Sequence, residues 1–396
     1  MKLTVVVPTR ERQDTLRHTL RTLTTQDYAD CEFIVSDNDS RDETREVVAS
    51  FDDPRIVYIN TGARRSMAEN WEFALEHARG EFITYIGDDD GFIPGALASA
   101  MSLIEASGSY ALVWEKATYC WPDHVEPALR NTLSVRLAGF RKSVVSGRDE
   151  FQRVMGFKTG YTDLPCLYNG IARTQLLLDM KRSASNGLFF NAISPDCFSA
   201  LALGLVVGDY LVCNFPFSVN GASRHSNGTS FMRRGTDGKS DNPTTTFYSE
   251  NRLAYDSRIL LAPAIPVVIV GEYLLLQKYH PELRLPEPSW STYLGSLSKD
   301  IVDSRQPDAV TASAQHTAVQ LGRRFGQPRV KREGWAGVEF QPGLAGDVLS
   351  ARAHDGFVSN IADACMLVDT LIPDIGAVRW GEAGAKRRPW YRKIFT

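Results

Sequence analysis

The chain has 396 residues, enough for two domains or for one large domain with an elaboration. With 43% hydrophobic and 23% charged residues it has the composition of a soluble globular protein. Its 47 acidic and 44 basic side chains nearly cancel, leaving a net charge of −3, and this balance argues against nucleic acid as a main partner.

Six cysteines stand at 31, 120, 166, 197, 213 and 365 with no CxxC pair, a pattern of buried free thiols that favours a reducing compartment. MKLTVVVPTR has too short an apolar core for a secretion signal, so a cytoplasmic location is expected. The run 259–276 (ILLAPAIPVVIVGEYLLL) is the one membrane-like stretch. Two prolines, a glycine and Glu272 interrupt it, so a buried or surface-docking helix pair is expected rather than a span.

Residues 3–7 (LTVVV) form a continuous apolar run, as in a parallel strand covered on both faces. Pro8 ends it, and Leu16, Leu20 and Leu23 recur at helical spacing. A second strand, 32–36, leads into DNDSRDET, where Ser40 and Glu43 fit a capping box for a helix through Val47 and Val48. A third strand, 55–60, precedes a helix over 66–78. The fourth, 81–86, ends in Asp88-Asp89-Asp90, and Pro94 suits the first turn of a helix over 96–105. This β-α series predicts an α/β fold with a mostly parallel sheet and helices on both faces. Ligands bind such sheets beyond the carboxyl ends of the strands. The polar loops at 8–10, 37–39 and 88–90 all lie at that end.

From about 110 to 235 the pattern changes to shorter strands, turns and two helices; beyond about 240 it is mostly helical. The expected division is therefore one domain over 1–235, in two halves at 1–105 and 106–235. A mainly helical region would follow at 236–396, suited to an acceptor, oligomer or membrane-docking role.

Three adjacent carboxylates at a strand end repel one another, and each raises the cost of ionising its neighbours. A hard divalent cation, Mg²⁺ or Mn²⁺, would relieve this, since such ions take oxygen ligands and share them with substrate phosphates. A solvated acidic turn that caps the next helix is the simpler alternative. Asp37 and Asp39 point toward the same sheet edge, where a carboxylate can accept from a ring N–H or a ribose hydroxyl. An Asx-turn accounts equally well for Asp39, Ser40 and Asp42.

Together, VVVPTRERQDTL, FIVSDNDSRDET and NWEFALEHARGEFITYIGDDDGFIPGAL resemble the family 2 glycosyltransferases, which have the GT-A nucleotide-sugar-binding fold. The likeness covers roughly residues 1–105, and it implies that 1–235 is the catalytic domain, with a nucleotide-binding half at 1–105 and an acceptor-side half at 106–235. It implies that Pro8, Thr9, Arg10 and Arg12 belong to the loop contacting the donor nucleotide. Asp37 resembles the carboxylate that binds the nucleobase, with Asp39 assisting. Asp88, Asp89 and Asp90 resemble the Asp-x-Asp motif that holds a divalent cation on the donor's diphosphate. Gly87 stands where the motif's first Asp is usual, which leaves open which of the three touches the metal.

An inverting transfer needs a general base for the acceptor hydroxyl. Similar enzymes place an acidic residue at the start of a helix about a hundred residues further on, and SPDCFSALAL offers Asp196 there; helix capping by Ser194 or Asp196 is its alternative. In NFPFSVNGASRHSNGTS, His225 matches a loop histidine that completes metal binding or touches the diphosphate, and Arg224 would offset phosphate charge. Arg233 and Arg234 are weaker phosphate candidates. Asn70-Trp71 either orients the sugar or packs in the core, and Asn169-Gly170 ends a strand near the acceptor region. The basic, aromatic tail KRRPWYRK is either a solvated segment or an anchor to anionic lipid.

The expected function is an inverting, metal-dependent transfer of a sugar from a nucleotide diphosphate sugar. UDP is the favoured nucleotide, by frequency among similar enzymes. The acceptor would be a hydroxyl of a glycan, lipid-linked or small-molecule compound, as in bacterial surface polysaccharide synthesis. Peripheral association with the inner membrane and self-association through the C-terminal helices go with this reading. The rivals are a nucleotidyltransferase, whose glycine-rich loop PTRERQD lacks, and an inactive sugar-binding module of the same fold.

Overall fold

The structure is a computed structural model describing residues 2–168, 170–226, 249–304, 306–326, 328, 340–353, 357–378 and 380–382. Asn169, Arg233, Arg234 and the basic tail lie outside the described residues.

Four parallel strands form the N-terminal part of a sheet in the order Phe82–Tyr85, Leu3–Thr9, Cys31–Asp37, Ile56–Asn60. Leu3, Val5, Val6 and Val7 are fully buried, because helices cover both faces of the sheet. Parallel pairing sets Thr9 level with Asp37 and Val6 level with Tyr85. Carried three residues further, that register brings Asp88 level with Thr9, so the strand ends deliver their polar residues to one edge. The sheet continues through the antiparallel Gly170–Arg173 to Ala111–Trp114, Asp209–Cys213, Arg141–Ser146 and Gly381–Glu382, nine strands among the described residues. The expected mostly parallel α/β sheet flanked by helices is present, and its antiparallel members belong to the later half.

A second, six-stranded sheet runs Gly343–Ala345, Val348–Arg352, Thr132–Arg136, Ala117–Cys120, Ser218–Ala222, Gly91–Phe92. The strand Ser218–Ala222 pairs with Gly91–Phe92, directly after the acidic triplet, so the loop before His225 lies against the triplet. The hairpin at 343–352 and the strand Gly381–Glu382 add three strands to a C-terminal region whose other described elements are helices.

The capping box expected at Ser40 and Glu43 does not form. Ser40 Oγ instead accepts from the Glu11 N–H at 2.9 Å, and Asp42 accepts from the Thr44 N–H at the start of the helix Thr44–Ala49. The loop spends its side chains on tying two strand ends together. A capping box does form on the next helix, Met67–His77, where Ser66 and Glu69 satisfy each other's backbone N–H groups.

Within the run 259–276 a single buried helix forms, Ile265–Tyr279, rather than the expected pair: residues 259–264 are not helical, and the helix begins with Pro266 in its first turn and packs against the helix Pro195–Val206. No described helix is long and apolar enough to cross a membrane. All six cysteines are buried free thiols. A further helix, Ile361–Leu371, packs on Gln13–Thr24 and behind Gly91.

Candidate active site

The three triplet carboxylates are buried and have different partners. Asp88 accepts from Thr9 Oγ1 at 2.7 Å and pairs with the Arg12 guanidinium at 2.9 Å. Asp89 accepts from Ser223 Oγ at 2.7 Å, while its backbone carbonyl takes the Trp121 indole N–H. Burial pushes the Asp89 carboxyl up to about 7; Asp90 and Asp88 add to the shift, and Arg12 opposes it. Asp90 accepts four hydrogen bonds, from Asn220 Nδ2, the Gly221 N–H, the Tyr168 hydroxyl and the Gly87 N–H. Burial pushes its carboxyl up as well, against those donors. With both oxygens saturated, Asp90 holds the loop in shape.

Gly87 has a steric explanation. A Cβ there would lie 2.7 Å from the Tyr168 hydroxyl and 2.9 Å from Asp90 Oδ2. The space of a first-position aspartate is given to Tyr168, which the sequence patterns did not single out.

Asp37 is also buried and engaged: it accepts from the Tyr58 hydroxyl at 2.6 Å, Asn60 Nδ2 at 3.0 Å and the Ser40 N–H at 3.0 Å. Asp39 adopts a left-handed φ of 58°, so its visible part is to turn the backbone. Pro8 sits in the first strand between the core and Thr9. Arg10 reaches Glu250 at 2.6 Å, a carboxylate that Arg64 also holds.

Asn70 exchanges hydrogen bonds with the side chain and carbonyl of Ser36, tying its helix to a strand end. Trp71 stacks on Tyr85 with ring centroids 4.2 Å apart and is 3% exposed, which favours the core-packing alternative for this pair. His225 stands beside the triplet: its carbonyl accepts from Arg12, and its Nε2 meets Arg224 Nε at 2.7 Å. Burial lowers its pKa, with Arg12 and Arg224 adding to the effect. Arg224 also faces Asp123 at 3.6 Å. Arg12 thus bridges the triplet to the His225 loop, and its isolated position in the sequence gave no sign of this.

Asp196 opens the helix Pro195–Val206, and neither it nor Ser194 makes a side-chain cap. Both of its carboxylate oxygens are held by hydroxyls, Oδ2 by Tyr161 at 2.7 Å and Oδ1 by Ser194 at 2.8 Å. Tyr168 lies in the fields of both clusters. Burial, then the charges of Asp90, Asp89 and Asp196, hold its hydroxyl pKa well above the ordinary value. Lys116 Nζ lies 5.4 Å from the centre of the same ring. Tyr161, Tyr168, Asn220 and Ser223 went unread because each acts by long-range contact, outside any local motif.

Residues 4–145 match the model of Glycosyl transferase family 2. Over that segment, about a third of the chain, it is similar to the family 2 glycosyltransferases. It is 40% identical over 116 residues to the GalNAc(5)-diNAcBac-PP-undecaprenol beta-1,3-glucosyltransferase of Campylobacter jejuni, covering 28% of this chain and 37% of that protein. It is 29% identical over 102 residues to the UDP-Glc:alpha-D-GlcNAc-diphosphoundecaprenol beta-1,3-glucosyltransferase WfgD of Escherichia coli, covering 26% and 40%. The matched segment therefore spans less than half of these curated relatives. Among solved structures, S. aureus TarS 1–349 in complex with UDP-GlcNAc aligns over 82% of this chain and 93% of its own, at TM-score 0.44 and 15% identity. The Pyrobaculum calidifontis mannosyltransferase PcManGT in complex with GDP-Man and Mn2+ aligns over 81% and 86%, at 0.39 and 16%. Those two likenesses carry no argument about the site.

Among the described residues no three His, Cys, Asp or Glu side chains are grouped to hold an ion. The pair Asp88 and Asp89 fits the chemistry of a family 2 cation site: two buried oxygen donors, one of them pushed toward neutrality by burial and by its neighbouring carboxylates. Asp90, saturated by four donors, does not fit as a ligand.

Proposed function

We propose that the protein is an inverting, metal-dependent glycosyltransferase that moves a sugar from a nucleotide diphosphate sugar, with UDP favoured, to a hydroxyl of a lipid-linked saccharide. The observation that carries the reading is the arrangement around Tyr168. Tyr168 donates to Asp90 in the acidic loop after a parallel strand, and it feels the charges of Asp89 there and of Asp196, the hydroxyl-held aspartate at a helix start. The names of the Campylobacter and E. coli relatives, which specify undecaprenol diphosphate-linked saccharides, support the acceptor class.

In this reading Asp37 and the loop of Pro8, Thr9, Arg10 and Arg12 receive the nucleotide, with Asp39 shaping the turn. Asp88 and Asp89 would hold a Mn²⁺ or Mg²⁺ ion, which supplies positive charge to the leaving diphosphate. Arg12, Arg224 and His225 line the same edge. The acceptor oxygen attacks the anomeric carbon as the bond from that carbon to the diphosphate oxygen breaks. Asp196 takes the acceptor's proton on its carboxylate, and Tyr161 and Ser194 fix its orientation. A cytoplasmic enzyme docked at the membrane surface suits such an acceptor.

The test is transfer and donor hydrolysis across UDP-, GDP- and dTDP-sugars with Mn²⁺, Mg²⁺ or chelator. Expected are activity with one nucleotide class and its loss on chelation. Full activity in chelator would refute the metal assignment, and no turnover or donor binding with any nucleotide sugar would refute the transferase reading.

A further inference from the structure

Glu272 lies outside every motif, and its side chain is fully buried in the middle of the helix Ile265–Tyr279. A carboxylate in such a position requires partners, and its partners are the backbone immediately before Asp196. Oε1 accepts from the Ser194 N–H at 2.7 Å and the Ile193 N–H at 3.2 Å, and the Tyr255 hydroxyl donates to the same oxygen at 2.8 Å. Ser194, held through its N–H, is the residue whose hydroxyl donates to Asp196 Oδ1.

Gly271 makes the third contact possible. A Cβ at that position would lie 2.6 Å from the Tyr255 ring, so only a glycine lets the ring lie across the helix and reach Glu272. The charge balance is consistent with a designed polar contact. Burial pushes the Glu272 carboxyl up to about 8; the N–H groups of Ser194 and Ile193 and the Tyr255 hydroxyl pull it down, and Asp196 pushes with burial. Cys197, which also feels this carboxyl, is held well above the ordinary thiol range, first by burial and then by Glu272.

We infer that Glu272 is a positioning residue for the base: it fixes the Ile193–Ser194 turn, from which Ser194 aims the Asp196 carboxylate. The helical C-terminal region thereby becomes part of the catalytic apparatus. This rests on the assignment of Asp196 in the proposed function.

The experiment is a double-mutant cycle on the full chain with Glu272→Leu and Asp196→Asn, reading kcat, the KM for the nucleotide sugar and the melting temperature. Glu272→Leu, which leaves the Ile193 and Ser194 N–H groups without their acceptor, is expected to lower kcat about tenfold or more while leaving that KM within about twofold, as for residues that orient an active group. Glu272→Gln keeps a carbonyl oxygen where Oε1 takes its three donors, and is expected to retain most of kcat. In the Asp196→Asn background Glu272→Leu is expected to cost nothing further, because the group it positions is gone. An unchanged kcat in a folded Glu272→Leu protein overturns the inference, as does an equal loss in both backgrounds. Full activity of Asp196→Asn alone overturns the base assignment instead. If Glu272→Leu does not fold, Tyr255→Phe, which removes one donor to the same carboxylate, is judged by the same criteria.

Discussion

At the scale of single residues, the triplet separates into two kinds of carboxylate. Asp90 accepts four hydrogen bonds, so Asp90→Asn would turn an amide N–H toward buried donors at a cost of about 1–3 kcal/mol. A lowered urea midpoint checks this. Asp89→Asn removes a buried charge and keeps an acceptor for Ser223, so it is expected to fold as stably as the parent while losing transfer. Glu272 gives a pH signature. Its folded pKa of about 8 lies above the ordinary value of 4.5, so the folded chain keeps a proton that the unfolded chain releases. Stability from this group is complete below about 4.5 and is lost as pH rises toward about 8. Urea midpoints measured across that range should fall less steeply for Glu272→Gln; identical slopes would contradict the prediction. The sequence revealed that carboxylates crowd this edge. It did not reveal which are saturated, because the donors come from residues 168, 220 and 223, far along the chain.

At the scale of elements, alternating apolar runs and helical spacings made the four parallel strands legible, and strand register alone then brings Thr9, Asp37 and Asp88 to one edge. The capping box at Ser40 and Glu43 was misread because local pattern was overruled by contacts between loops, with Ser40 turned to the Glu11 backbone. The strand Ser218–Ala222 is the element that local pattern undervalued. Gly221 lies so close to the triplet that a Cβ there would be 1.8 Å from the Asp89 carbonyl oxygen. Gly221→Ala is therefore expected to displace the acidic loop, lowering both the melting temperature and donor affinity. An alanine variant with parental donor affinity would show that the strand does not support the site.

At the scale of the whole molecule, the C-terminal third is joined to the site from two directions. The helix Ile265–Tyr279 carries Glu272 to the turn before Asp196, the proposed base, and the helix Ile361–Leu371 packs behind the acidic loop, where Cys365 and Ile361 leave no room for a side chain at Gly91. Its sequence showed helical spacing but no motif, since its contribution is packing and one buried carboxylate. Ending the chain at residue 340 removes the buried Ile361, Cys365 and Val368, and is expected to lower the melting temperature of what remains by several degrees. The central claim is that Asp88 and Asp89 serve the donor while Asp196 serves the acceptor. The direct measurement is sugar transfer from a UDP-sugar to an undecaprenyl diphosphate-linked saccharide with Mn²⁺, for the parent and Asp196→Asn, alongside calorimetric titration of UDP. The account predicts transfer reduced about 100-fold or more in the variant with UDP affinity unchanged. Transfer by Asp196→Asn at the parental rate would contradict it.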